Sequence, residues 1–313
     1  MDLVTVNVNN RVLRTYQGTI LSEKRLFLQI YRDLESGKIE LPSLPDLATK
    51  IRDTLKDPTT SIDDACRLIS VDSSLIAYLI KIANSPLYVG VEKCVDVQSA
   101  IIRLGYNNTR NLSMTFVLRS LFRPKLKKLK PILEELWLKV SKLAALSSVL
   151  AGRCSGFDPD MALTAGMMQD IGALPIIQKL SRYPDVFDKP DEVQRIIDTY
   201  AARVGTLILH KWNFQEDMVE VVRSRKDWMR DKNPKADLAD IVMIARLHSY
   251  VGTPKMRNCP RISALPAYQK LPFGQLGPRE SLLILEEASD EIREIKLLFP
   301  TPQPVVRKRN MRM

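Results

Sequence analysis

Apolar side chains recur three and four residues apart along most of the chain, as in Leu44, Leu47, Ile51 and Leu55, then Leu75, Tyr78, Leu79 and Ile82. That spacing turns one face of a 3.6-residue helix toward a core, so the pattern predicts an all-α protein. The ends of the helices are legible too. Asp57-Pro58 stops one, and Ser61 with Asp64 three residues on forms a short-acid capping box. Asn84, Ser85 and Pro86 close another, with the Asn84 side chain suited to tying the loop backbone. Gly105 stands where a left-handed cap would end a further helix. The one strand-like segment, Val4, Val6 and Val8 followed by Asn9-Asn10 and Val12, reads as a short hairpin or an arm.

The length of 313 residues suits about two compact units, and 45% hydrophobic with 27% charged residues is the composition of an ordinary globular chain. A basic segment holding Pro124 and Pro131 divides the helical pattern into lobes at 41–121 and 132–250. Residues 1–40 read as an N-terminal arm and first helix. Residues 251–313 read as a proline-rich extension, one last amphipathic helix over 279–298 and a basic tail. No apolar run approaches the ~18 residues of a membrane span, and residues 1–20 lack a secretory core, so the expected location is cytoplasmic.

Lysine and arginine outnumber the acids 47 to 36, which favours anionic partners. The excess sits in Arg119, Arg123, Lys125, Lys127, Lys128 and Lys130 and again in Arg307, Lys308, Arg309 and Arg312. Without a zinc finger, an RNP sequence or alternating aromatics, these runs read as a solvated connector and a tail, and nucleic acid is the disfavoured partner. Cys66, Cys94, Cys154 and Cys259 are too scattered for a zinc site or a redox pair. With only His210 and His248 available, a mechanism needing several imidazoles is short of material.

The segments LPSLPDLATKIRDTLKDP (41–58), ISVDSSLIAYLIKIANSPLYVG (69–90) and VQSAIIRLGYNNTRNL (97–112) resemble the N-terminal lobe of HDOD proteins, the HD-related output domains of bacterial signalling. The resemblance continues through Trp137, AGMMQDIGALPI (165–176), Gly205 and Trp212, and covers about 41–250. It implies a two-lobed helical HDOD-like fold whose second lobe is similar to HD-type phosphohydrolases, which hold divalent metals with histidines and aspartates. Matched residue by residue, Asp170 stands at the aspartate of the His-Asp pair, with Gln169 before it. The other ligand positions fall at Lys139, Ala201, Arg225-Lys226 and Arg246. Cations and an amide at those places imply no metal, no cofactor and no catalytic residue. His210 and His248 read as packing residues, and Asp170 as a cap or ion-pair partner.

Three functions follow in order of preference. The first is a non-catalytic regulatory module acting through signalling-protein contacts or a small bound anion. The second is a metal-dependent phosphohydrolase acting on nucleotides or cyclic dinucleotides, and the third is nucleic-acid binding through the basic segments. If Lys139, Arg225, Lys226 and Arg246 converge on one recess, either an internal ion cluster centred on Asp170 or a phosphate-bearing ligand should relieve their repulsion.

Overall fold

The structure, a computed structural model, describes Arg32 and residues 41–297 apart from 87, 89, 91, 125 and 273–278; the proposed valine hairpin and the arginine tail lie outside the described residues. Among those residues the regular elements are helices, with no strand. The first half comprises α1 (Asp46–Thr54), α2 (Ile62–Ile69), α3 (Ser73–Ala83) and α4 (Val97–Leu118), the first three packed on the fourth. Their starts are chemically fixed. Ser61 and Asp64 form the capping box of α2, Asp72 caps α3 through the amides of Ser74 and Leu75, and Asp96 with Ser99 boxes α4.

Asn84 follows α3, where its amide donates to the Cys94 carbonyl at 2.8 Å and its Oδ1 accepts from the Cys94 amide at 2.9 Å. Ser85 and Pro86 continue the turn, and Arg103 reaches across from α4 to the Ala83 carbonyl at 2.9 Å. Gly105 behaves differently from the expected cap. Its φ is 74° and its ψ 164°, outside the left-handed helical well, and the chain resumes a helix at once rather than ending one. Glycine is needed there because a Cβ resists that φ, and the result is a kink within α4.

The second half opens with α5 (Lys130–Gly152). Pro131 lies in its first turn, where no amide donor is required, so this proline starts a helix instead of separating two. There follow α6 (Pro159–Met168), α7 (Ala173–Leu180), the short α8 (Pro184–Phe187), α9 (Pro190–Lys211), α10 (Glu216–Arg223) and α11 (Leu238–Ser249). A short α12 (Pro266–Lys270) precedes α13 (Glu280–Glu287) and α14 (Ser289–Leu297). The expected single final helix is thus two, broken at Ala288, and both pack on α5. Leu285 and Ile295 are buried there, so the break lets each short helix present its own apolar face to the core.

One continuous set of buried side chains runs through both halves. Polar ties cross between them: Trp212 donates its indole N–H to the Pro42 carbonyl at 2.9 Å, and the Thr115 and Thr164 hydroxyls meet at 2.9 Å where α4 packs on α6. No described helix is long and apolar enough to cross a membrane.

Candidate functional site

The turn between α6 and α7 carries Gln169 and Asp170. Asp158 begins α6 by accepting from the amides of Asp160 and Met161, and the helix ends as Gln169 donates its backbone N–H to Ala165. Two residues beyond Asp170 comes Gly172, where an added Cβ would lie 2.1 Å from the Ala201 carbonyl oxygen. Only glycine admits that approach. Ala201 is fully buried on α9, whose backbone makes this close approach to the turn.

Asp170 is 7% exposed and lies between two buried guanidinium groups. Arg225 donates through Nε to Oδ1 at 2.8 Å and through Nη2 to the same oxygen, while Arg246 donates through Nη2 to Oδ2 at 2.8 Å. Gln169 completes the group. Its Oε1 accepts from Arg246 Nε at 2.5 Å, and its Nε2 donates to the Val221 carbonyl at 3.3 Å. The Arg246 Nη1 atom reaches the Tyr250 hydroxyl at 3.1 Å. Burial raises the Asp170 pKa, but the fields and hydrogen bonds of Arg225 and Arg246 overcome it and hold the carboxyl well below the usual carboxylate range.

The arginines are themselves positioned. Arg225 follows α10 in a tight turn begun by Ser224, and Arg246 lies on α11, which starts with a capping box of Asp237 and Asp240. Buried Arg230 joins the two helices, donating to Glu220 at 3.1 Å, to Asp240 at 2.7 Å and to Asp237. Sequence patterning does not mark Arg230, because its partners lie on separate elements.

Lys226 turns to Asp198, with 2.7 Å between Nζ and the carboxylate, and is not on the wall of the adjoining cavity. The expected convergence of four cations is therefore corrected to Arg225, Arg246 and Lys139. Lys139 lies on α5 at the cavity edge, where it pairs with Glu135 at 2.5 Å. Asp198, which also lies 3.9 Å from Arg225, escaped the sequence reading because it falls three residues before Ala201 with no local motif. Tyr250 was findable, being one helical turn beyond Arg246.

The chemistry of this donor set does not suit a divalent metal. The carboxylate at its centre is already shared by two cations, its neighbour is an amide, and Ala201 has no donor atom. Among the described residues no group of three histidines, cysteines or acids could hold an ion. His210 is exposed on α9, and His248 is buried on α11, where burial lowers its pKa to about 4.

The basic connector is partly spent inside the molecule. Arg119 stacks 3.9 Å from the centre of the Phe116 ring, and Lys128 donates to the Ser181 carbonyl.

The family model for the HDOD domain matches residues 41–228. This chain belongs to the HDOD family. Its fold is similar to that of a Shewanella amazonensis protein provisionally named a metal-dependent phosphohydrolase, with a TM-score of 0.70 and 20% identity over 89% of this chain and 99% of that one. An HDOD domain protein of unknown function from Geobacter sulfurreducens gives a TM-score of 0.63 at 23% identity, covering 88% of this chain and 97% of the other. An uncharacterized Treponema pallidum protein is 24% identical over 205 residues, which are 59% of this chain and 37% of that protein. This chain thus matches little more than a third of that relative.

Proposed function

We propose that this HDOD protein is a non-catalytic regulatory module of a signalling system, which receives or passes a signal through protein contacts or a small bound anion. The observation that carries the reading is the Asp170 group. Where an HD phosphohydrolase keeps metal ligands, the matching positions of this chain are Lys139, Gln169, Asp170, Ala201, Arg225, Lys226 and Arg246. Two of those cations neutralise the one carboxylate among them. In HD-type phosphohydrolases a bound metal acts as the Lewis acid that makes water a nucleophile near neutral pH, and a guanidinium cannot take that part. In this reading 41–250 is the regulatory domain, with lobes at 41–121 and 132–250, and 251–313 is an extension of it.

The test is metal analysis of the full purified chain, together with hydrolysis assays on bis-p-nitrophenyl phosphate and a cyclic dinucleotide. The expected outcome is no stoichiometric iron, manganese or zinc and no turnover. About one ion per chain, lost in Asp170→Ala and accompanied by turnover, would replace this reading with the phosphohydrolase one.

A further inference from the structure

Next to the Asp170 group lies a cavity of about 660 Å³, walled by α5, α7, α9, α11 and the turn at Pro254–Asn258. Its size is that of a small-molecule pocket. The wall has two kinds of surface. Leu136, Ile177, Phe187 and Ile197 form an apolar floor, and six cationic side chains face four carboxylates around it.

The carboxylates are largely committed. Asp170 holds Arg225 and Arg246, Glu135 holds Lys139, and Asp198 holds Lys226. The fourth, Asp191, lies in the first turn of α9, where the helix dipole favours its charge. That leaves Lys128, Lys142 and Lys255 without an ion pair to a carboxylate among the described residues, Asp198 acting on Lys255 only from a distance. Lys142 donates to the Ser249 carbonyl at 2.9 Å, and Lys255 lies 5.7 Å from the centre of the Tyr250 ring. Burial disfavours the charged form of both lysines. Lys296 adds to this for Lys142, and Lys139 and Lys226 add to it for Lys255, where Asp198 and Tyr250 work in the opposite sense without reversing it. Carbonyls and a ring face satisfy a lysine's geometry while leaving its charge unbalanced, so the recess carries excess positive charge above an apolar base.

We propose that this cavity binds a small organic phosphate, with its phosphate drawn to the basic lining to which Lys142 and Lys255 contribute and its apolar or aromatic body against Leu136, Ile177, Phe187 and Ile197. Inorganic phosphate alone would leave the floor uncovered, and a neutral organic molecule would leave the lysines unrelieved; only a ligand with both parts answers both surfaces. Arg225 and Arg246 form the inner wall, so occupancy would be felt by the group that fixes α10 and α11 to the Asp170 turn. The proposal rests on the regulatory reading, in which the bound phosphate is the signal.

The test is calorimetric titration of the full chain at neutral pH with AMP, GMP and hexyl phosphate, and with inorganic phosphate and adenosine as the separate halves. Free phosphate released from each ester is measured in the same samples. At least one ester should bind about tenfold more tightly than inorganic phosphate or adenosine. A preference for the nucleotides names an aromatic body, and a preference for hexyl phosphate an alkyl one. Raising the salt concentration should weaken binding, and Lys142→Gln with Lys255→Gln should weaken it about tenfold. If the double variant melts early, Lys255→Gln alone carries the test, since Lys255 sits on a surface turn. No binding up to about 1 mM, or binding unchanged in the lysine variants, overturns the pocket. Binding accompanied by phosphate release keeps the pocket and overturns the non-catalytic reading. No binding and no release does the reverse.

Discussion

Two buried aspartates at opposite ends of α6 show how differently one side chain can be used. Asp170 is 7% exposed and Asp160 is 5% exposed, and burial raises the pKa of each. They then part. At Asp170 two guanidinium groups overcome burial and the carboxylate stays ionised far into acid. Asp160 faces the Tyr88 hydroxyl, 2.6 Å from each of its oxygens, which lowers the pKa, and the Asp158 carboxylate, which raises it. With no cation on hand its pKa goes up to about 7. Burial therefore does not decide the charge of a carboxyl group; the partner delivered by tertiary packing does.

The comparison breaks most visibly if Asp170 is removed. Asp170→Ala leaves two arginines buried without their counter-ion and should cost about 3–5 kcal/mol in urea unfolding. A loss below about 1 kcal/mol would mean that solvent reaches and satisfies the guanidiniums. Wild-type stability from this site is present above the unfolded pKa of 3.8 and fades as the pH falls through the lower folded value.

Asp160 should show the opposite sense. Its folded pKa of about 7 lies above the ordinary 3.8, so its contribution is present below the ordinary value and is lost as the pH rises between them. The difference in stability between Asp160→Asn and wild type should therefore grow in favour of the variant across that window. The expected slope is up to ~1.4 kcal/mol per pH unit. Taking the difference cancels His248, whose pKa, lowered by burial to about 4, gives the reverse trend. A flat difference would place Asp160 in a wetter environment than its burial indicates.

Two further substitutions put the charged pair on a scale. Asn84→Ala removes neutral hydrogen bonds to the Cys94 backbone and should cost about 1–2 kcal/mol in thermal or urea unfolding, less than Asp170→Ala. Unchanged stability would deny it the loop-tying role. Lys139→Ala breaks an exposed pair with Glu135 one helical turn away and should cost only about 0.3–0.5 kcal/mol in the same measurement. A loss as large as that of Asn84→Ala would show that the rim of the cavity is drier than its exposure indicates.

The helical class, the capping box at Ser61 and the turn after Ala83 are properties of short segments, so apolar period and cap chemistry reveal them from sequence. Of the site, the sequence placed Arg225 and Arg246 beside Asp170 only through the family's spacing. The 55 and 76 residues between the partners carry no local signal that they meet. Lys142 and Lys139 share a face of α5, three residues apart, and that spacing could have pointed to a basic rim. Asp198, Arg230 and the Tyr88–Asp160 pair could not have been found so, because each joins elements whose approach depends on packing. Gly105 and the break at Ala288 were misread for a related reason: a glycine or a pause in the apolar stripe marks a local departure from a helix, and the surrounding core decides whether the chain stops, kinks or restarts. Sequence alone thus determined which segments coil and where most begin, since helix formation depends on neighbours within a turn or so. Only the tertiary structure decided which charges are paired, which carboxyl is held ionised by arginines and which has its pKa pushed up by burial, and which lysines line the cavity. Those outcomes depend on distances across the core, where a few ångströms separate a buried ion pair from an uncompensated charge.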